Sequence, residues 1–294
     1  MRATGSLTTA DGLTLFTRTY LPDAQLPTTQ LPAPEPARPQ EATARAAVIL
    51  AHGYAEHSGR YEAFAEALAA AGYAVFAFDH RGHGRSGGGR ASVRVFDEYV
   101  GDLGRVIDRV HETYPALPRF LFGHSMGGLV GLQLVLEHPE KVEGLLVTAA
   151  YMENAVKLSP LLTRAAPLIS RLAPELPVQR LDTDALARDK SVVQAYRSDP
   201  LVYHGKVRAR LGYELLRAGP YVLERAASIE VPVLLQHGGA DRLAAPAGTQ
   251  AVFAALGSSD KTLKLYDGAF HEILNDYGRE QVLTDVLGWL EAHV

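Results

Sequence analysis

The stretch Phe120-Leu-Phe-Gly-His-Ser-Met-Gly-Gly-Leu-Val130 constrains the fold of this chain more than any other. The apolar run over 119–122 reads as a strand, and Gly128-Leu-Val-Gly-Leu-Gln-Leu-Val-Leu136 has the apolar spacing of a buried helix. Between them Gly123-x-Ser125-x-Gly127 leaves room only for a sharp turn. Such a turn forces its central residue into strained backbone angles. Side chains at 123 and 127 would collide with neighbouring backbone, so glycines there let Ser125 stand exposed. The alternative is a glycine-rich turn around an idle serine. An acid and a histidine in the right later places would decide between the two.

The rest of the chain supplies the sheet that such a unit requires. Residues 13–20 alternate as a half-buried strand, and Asp11-Gly12 before them is a hairpin signal joining that strand to 6–9. Residues 47–51, 74–78, 142–148, 231–236 and 262–266 read as strands, while 61–71, 96–114, 247–256 and 280–293 carry helical patterns. This alternation predicts a mostly parallel sheet with an N-terminal antiparallel hairpin and helices on both faces. Two segments break the rhythm. Residues 23–45 form a Pro/Ala/Gln/Thr mixture, with six prolines from Pro22 to Pro39, and read as a surface loop. Between 150 and 218 no strand is clear, and short helical pieces are broken by Pro160, Pro167, Pro174, Pro177 and Pro200, as in an inserted helical lid. At 294 residues and 47% hydrophobic content, one α/β domain over 1–294 holding both segments is the expectation.

Composition narrows the chemistry. A net charge of −4, with no basic run interleaved with aromatics, sets nucleic acid aside as a partner. The chain has no cysteine, which excludes disulfides, thiolate metal sites and a cysteine nucleophile, so any nucleophilic work falls to serine. Gly82-x-Gly84-x-x-Gly87 matches a dinucleotide fingerprint, but the glycines run on to Gly89 without opening a helix. Asp102, at the right distance, falls inside a helical pattern, so no nicotinamide cofactor is expected. His80 with Arg81-Gly-His83 lacks both H-E-x-x-H spacing and a carboxylate pair, so no metal is expected. The first eleven residues lack the apolar core of a secretory leader, which leaves a cytoplasmic location as the expectation. The charge-free run 120–136 is shorter than the ~20 residues of a membrane span.

In a parallel sheet, sites form beyond the C-terminal ends of the strands. Those ends carry His52-Gly53-Tyr54, Asp79 to Gly89, Ser125, His237-Gly-Gly-Ala-Asp241 and Asp267-Gly-Ala-Phe-His271. The order Ser125, Asp241, His271 is the one that a serine nucleophile on a strand-to-helix turn requires. Serine is a poor nucleophile until a neutral imidazole takes its proton, and a carboxylate must hold that imidazole in the right tautomer. His271 and Asp241 fit these roles better than the alternatives. His124 adjoins the serine and should point elsewhere, and His52, His80, His83 and His237 should hydrogen-bond to loop backbone. Asp267 and Asp276 fit the strand-end placement less well than Asp241. A tetrahedral oxyanion needs two donors, for which the backbone N–H groups of Met126 and Tyr54 are the candidates.

His52-Gly-Tyr-Ala-Glu-His-Ser-Gly-Arg-Tyr61, Asp79-His-Arg-Gly-His-Gly-Arg-Ser86, Gly123-His-Ser-Met-Gly127, Tyr196-Arg-Ser-Asp-Pro-Leu201, Gly239-Ala-Asp-Arg242 and Gly268-Ala-Phe-His271 together resemble the monoacylglycerol lipases of the α/β-hydrolase superfamily, the lysophospholipase-like group. The resemblance covers nearly all of the chain. It implies an α/β-hydrolase fold, a Ser125–Asp241–His271 triad, an oxyanion hole from Tyr54 and Met126, and a mobile cap guarding an acyl tunnel. It also implies that Glu56 and Arg60 lie near a glycerol pocket; the alternative for that pair is a salt-bridged loop without substrate contact. The implied reaction is hydrolysis of a monoacylglycerol ester through an acyl-enzyme, with no cofactor. A broader carboxylesterase or lysophospholipase with the same triad is the alternative. A catalytically silent ligand-binding relative is more remote, because no triad member is missing.

The lid adds a possible surface. Leu158, Leu161, Leu162, Ala165, Leu168, Ile169 and Leu172 form an apolar stripe, with Arg164 and Arg171 on another face. Residues 150–218 hold eleven Lys/Arg against seven Asp/Glu, a balance of +4 that leaves −8 on the remainder. A basic, apolar cap on an acidic body suits peripheral docking on an anionic lipid surface. Burial of the stripe on the domain below is the competing expectation.

Overall fold

The computed structural model describes residues 2–22, 44–153, 155 and 159–294. The Pro-rich segment 23–45 therefore lies, apart from Ala44 and Arg45, outside the described residues, as does Leu158 of the stripe.

The chain opens with the antiparallel hairpin β1 (Arg2–Thr8) and β2 (Thr14–Tyr20), turned at Gly12 with φ 84°. Then follow β3 (Ala47–Ala51), α1 (Glu62–Ala70), β4 (Ala74–Phe78), α2 (Asp97–Thr113), β5 (Arg119–His124), α3 (Met126–Glu137) and β6 (Gly144–Thr148). After the interruption, which holds α4 (Pro160–Leu172), β7 (Pro177–Gln179), α5 (Lys190–Ser198), β8 (Val207–Arg208) and α6 (Ala209–Arg225), the alternation resumes. It ends with β9 (Val233–Gly238), α7 (Pro246–Ala255), β10 (Lys261–Tyr266) and α8 (Arg279–Ala292).

Eight strands form one sheet in the order β1-β2-β4-β3-β5-β6-β9-β10, antiparallel at β1/β2 and β2/β4 and parallel from β4 to β10. This is the mostly parallel sheet with an antiparallel hairpin that the alternation predicts. Strand side chains point alternately to the two faces. Ile49 and Leu121 meet Leu103, Ile107, Leu129 and Leu132 of α2 and α3 on one side. Val48, Leu50, Phe120 and Phe122 meet Phe64 and Leu68 of α1, and Val286, Trp289 and Leu290 of α8, on the other.

The interruption departs from expectation in one respect, since it does contain strands. β7 and β8 pair antiparallel as a separate two-stranded ribbon, too short to show a period of two in the sequence. α6 also runs straight through position 218, across Gly219 and Pro220. Gly219 is needed there because a Cβ would lie 2.1 Å from Met152 O.

Register places the functional loops together. Ala51 pairs with Phe78 and Gly123, Thr148 with both His124 and Gln236, and His237 with Leu265. The chain thus leaves β3, β5, β9 and β10 at one edge of the sheet.

Candidate active site

The turn between β5 and α3 holds Ser125 at φ 53°, ψ −114°, a backbone that costs a non-glycine residue of order 1–3 kcal/mol. Surrounding bonds enforce it. The Ser125 N–H donates to Thr148 O at 2.9 Å, and its carbonyl accepts from Leu129 N–H at 3.0 Å and Tyr151 N–H at 3.1 Å. The flanking glycines are required by contact, because a Cβ on Gly123 would stand 2.6 Å from Gly127 O and one on Gly127 2.3 Å from Ala51 O.

His271, in the loop after β10, brings Nε2 to 2.9 Å from Ser125 Oγ and Nδ1 to 2.6 Å from Asp241 Oδ2. With a carboxylate at Nδ1, the proton of the neutral ring sits there, and Nε2 is bare to accept from the serine hydroxyl. Asp241, after β9, is fixed in turn: Oδ1 accepts from Leu243 N–H at 2.8 Å and Ala244 N–H at 3.1 Å, and Oδ2 from His237 Nε2–H at 3.0 Å. The Thr249 hydroxyl donates to His237 Nδ1 at 2.7 Å and sets that ring's tautomer. Burial pushes the Asp241 carboxyl up, but the His271 and His237 imidazoles outweigh it and hold the group well below the usual carboxylate range. Burial pushes His271 down, and the Asp241 charge and hydrogen bond more than reverse this, leaving it above the ordinary 6.5.

The loop after β3 carries a second buried cluster. Glu56 Oε1 accepts from Gly53 N–H at 2.6 Å and from the Tyr61 hydroxyl at 2.5 Å, while Oε2 accepts from Arg60 Nη1 at 2.7 Å. Arg60 also donates through Nη1 and Nη2 to the two oxygens of Glu272, each at 2.7 Å, and lies 4.8 Å from the centroid of the Tyr196 ring on α5. Burial disfavours the charges on Arg60 and Glu272, yet their mutual attraction keeps Arg60 well above and Glu272 below their ordinary values.

A cavity of about 600 Å³ opens over these residues. Ser125, His271, Met126, Tyr54, Glu56 and Glu272 line its floor, and Leu162, Ala166, Ile169, Val178, Leu181, Tyr213, Leu215 and Leu216 contribute to its walls. Most of that lining is apolar, the character of a site for a lipophilic ligand with a few polar groups to orient it. The serine that the turn exposes is thus exposed to this cavity, with 6% of its surface accessible.

The structure therefore brings Ser125, Asp241 and His271 into direct hydrogen-bond contact and sets Tyr54 and Met126 on the same cavity. It separates the other pair: Glu56 lines the cavity, whereas Arg60 sits behind Glu56 and Glu272, in a buried salt bridge rather than an exposed one. His52 and His83 bond to backbone as expected. His237 also reaches loop backbone, at Ala244 O 3.3 Å away, but binds the Asp241 and Thr249 side chains as well. Two histidines do otherwise. The His80 ring has no protein hydrogen-bond partner at either nitrogen. His124 does not point away: it lines the cavity, with its ring centroid 4.9 Å from that of His271. Glu272, and the bond from His237 to Asp241, have no signal in the sequence beyond adjacency, one directly after His271 and the other four residues before Asp241.

Comparison with known proteins agrees with this geometry. The family model described as Serine aminopeptidase, S33 matches residues 42–278. The monoacylglycerol lipase of Mycolicibacterium smegmatis is 40% identical over 250 residues, covering 85% of this chain and 89% of that one. The monoglyceride lipase of Rattus norvegicus is 34% identical, covering 98% and 90%. Among solved structures, the Paleococcus ferrophilus monoacylglycerol lipase superposes with a TM-score of 0.81 at 30% identity, over 95% of this chain and 99% of that one. A strained serine turn at the centre of a mostly parallel sheet, matched by these relatives along most of their length, places the chain in the serine hydrolase family described as Serine aminopeptidase, S33, with an α/β-hydrolase fold.

Proposed function

We propose that this protein hydrolyses the carboxylic ester of monoacylglycerols to a fatty acid and glycerol through an acyl-enzyme on Ser125. The observation that carries this reading is the Ser125–His271–Asp241 hydrogen-bond series at the floor of an apolar cavity of about 600 Å³. The lipase relatives support the same substrate class.

In this mechanism His271 Nε2 takes the hydroxyl proton as Ser125 Oγ attacks the acyl carbonyl, and Asp241 stabilises the imidazolium without itself being protonated. The tetrahedral oxyanion is met by the backbone N–H groups of Met126 and Tyr54. Met126 is the first residue of α3, so its N–H has no partner within the helix. Collapse breaks the ester C–O bond, and His271 passes its proton to the departing glycerol oxygen. Water then repeats the sequence on the acyl-enzyme and releases the fatty acid. The acyl chain runs along the apolar lining, and Glu56 and Glu272 face the glycerol hydroxyls.

One panel tests the substrate: mono-, di- and triacylglycerols, a lysophospholipid and short p-nitrophenyl esters. Monoacylglycerol should lead in kcat/KM, and a lead for lysophospholipid or triacylglycerol would sink the assignment. A fluorophosphonate probe should label the parent protein and leave Ser125→Ala unlabelled.

The outer face of α4 supports a further proposal, that the segment 150–218 acts as a cap resting on an anionic lipid surface. Leu162, Ala166 and Ile169 line the cavity, but Leu161, Leu168 and Leu172, at 79%, 62% and 74% exposure, project together from an adjacent, solvent-facing side near exposed Arg164 and Arg171. Among the described residues no helix is long and apolar enough to cross a membrane. Binding to phosphatidylglycerol vesicles should exceed binding to phosphatidylcholine, weaken with salt and fall in Leu168→Asp/Leu172→Asp. Indifference to lipid charge and salt would remove the idea.

A further inference from the structure

Behind the loop that carries Tyr54 lies a group of polar side chains that the mechanism does not use. His80, His83 and Tyr99 have no accessible surface. His80 Nδ1 and Nε2, His83 Nε2, Tyr99 Oη and Tyr54 Oη are all buried without a protein hydrogen-bond partner. The rings pack together in one cluster: His80 and Tyr99 have centroids 5.5 Å apart, His83 and Tyr99 6.3 Å, His80 and His83 6.5 Å, and Tyr54 and His83 6.0 Å. The other buried tyrosine hydroxyls without a partner, those of Tyr20, Tyr73 and Tyr196, lie outside this cluster.

The character of the locus follows from its neighbours. His83 Nδ1 donates to Arg81 O at 2.9 Å, so its Nε2 is a bare acceptor. His52 uses both ring nitrogens, donating to Gly53 O at 2.7 Å and accepting from His80 N–H at 2.9 Å. Desolvation keeps these imidazoles neutral, with His52 near 4, His83 near 3 and His80 well below its ordinary value. Among the described residues no group of His, Asp or Glu has an arrangement for a metal ion. Each buried polar group left unpaired costs about 1–3 kcal/mol. Five around one locus would cost as much as a whole domain's net stability, which identifies a site for a small neutral molecule able both to donate and to accept.

We infer that Tyr54, His80, His83 and Tyr99 enclose an internal water site, and that water bridging Tyr54 to Tyr99 positions the Tyr54 N–H for the oxyanion. A buried water needs two to four polar partners, which these side chains supply. The loop has reason to need such a brace: Ala55, next to Tyr54, stands at φ 67°, a conformation that persists only where its surroundings over-determine it. His52 holds the start of the loop, Glu56 holds Gly53, and Ala55 O accepts from Tyr203 N–H at 2.7 Å, while the Tyr54 ring packs edge-on against His83 behind it and Tyr203. Tyr54 and Tyr99 are positioning residues in this account.

The inference rests on the oxyanion role of Tyr54, and the test separates the two. Tyr99→Phe and Tyr54→Phe remove one hydroxyl each and keep the packing. Each should lower kcat about tenfold, less than the ~10²–10³ for loss of an oxyanion donor, with KM changed less than about twofold. The rate of fluorophosphonate labelling should fall in step. Because the two hydroxyls share the bridge, the double variant should lose little more than either single one. Tyr73→Phe removes a solitary buried hydroxyl and should leave kcat unchanged. A high-resolution crystal structure should show ordered density between the four side chains. Unlabelled parent protein would overturn the serine mechanism itself. Labelled parent with unchanged kcat in Tyr99→Phe, additive losses in the double variant, or an empty locus would overturn the water bridge alone.

Discussion

Strain at Ser125 gives a stability prediction whose sign is unusual. With φ 53° and ψ −114°, the residue holds about 1–3 kcal/mol of backbone strain that glycine would not feel. Comparing Ser125→Gly with Ser125→Ala isolates it, because both variants lose the hydroxyl and its bond to His271. At an ordinary buried position glycine is the worse of the two: it forfeits about 0.8 kcal/mol for the buried methyl and about 0.5–1 kcal/mol of chain entropy. Here strain relief opposes both, so glycine should fall between about 0.8 kcal/mol less stable and about 1.7 kcal/mol more stable than alanine, against about 1.3–1.8 kcal/mol less stable at an unstrained position. Urea unfolding at pH 8, followed by far-UV circular dichroism, measures it, and neither variant should turn over substrate. If Ser125→Gly were less stable than Ser125→Ala by 1.5 kcal/mol or more, the turn would hold no strain and the reasoning would fail.

Three more outcomes can be checked. His237→Phe removes a charge-assisted donor to buried Asp241, so it should cost about 1.5–3 kcal/mol. It should also leave more of the carboxylate's field on His271, so that kcat/KM, which rises with pH through a midpoint already above 6.5, rises later still; an unmoved midpoint counts against the account. His52, His83 and His124, held by burial near 4, 3 and 4, are depressed below their unfolded value. The stability that they confer is therefore complete above ~6.5 and lost as pH falls, at up to about 1.4 kcal/mol per pH unit each, while His271 changes in the opposite sense; urea midpoints that stay flat between pH 7 and 5 would contradict this. Arg60→Met strands Glu56 and Glu272 and should destabilise by about 3–5 kcal/mol, with partial rescue by adding Glu272→Gln; additive losses in that double variant would mean that the pair is not coupled.

Which parts of this molecule the sequence discloses follows from the range of the forces involved. The sheet, its hairpin and the serine turn rest on local periodicity and on glycines that only one geometry needs, so they are legible. The placement of Asp241 and His271 follows from strand ends and chain order, and the structure brings both to Ser125. Glu272 and His237 act through partners 212 and 4 residues away, Arg60 and Asp241. The first pairing belongs to the tertiary fold alone, and the second depends on how the loop after β9 curls back. The α4 stripe has a single apolar periodicity in sequence, but the helix divides it, with Leu162 and Ile169 inward and Leu161, Leu168 and Leu172 outward. Hydrophobicity cannot say which side faces a cavity and which faces solvent. α6 passes Gly219-Pro220, a pair that reads as a stop, because close packing on Met152 rewards the glycine where it stands.

The eight-stranded sheet is lopsided with respect to its chemistry. Ser125 follows β5, held by neighbours on both sides, whereas His271 follows β10, an edge strand joined only to β9 and only partly buried along its length. Sheets open most cheaply from their edges. Warming would therefore loosen the proton acceptor before it disturbed the nucleophile, and the serine turn would outlive the activity that depends on it. The bidentate bond from Arg60 to Glu272 crosses that weakness, tying the residue after His271 to the loop that leaves β3, near the centre of the sheet. A buried ion pair adds little to net stability. This one sets the order in which the molecule comes apart, and so how long the imidazole stays within reach of the serine.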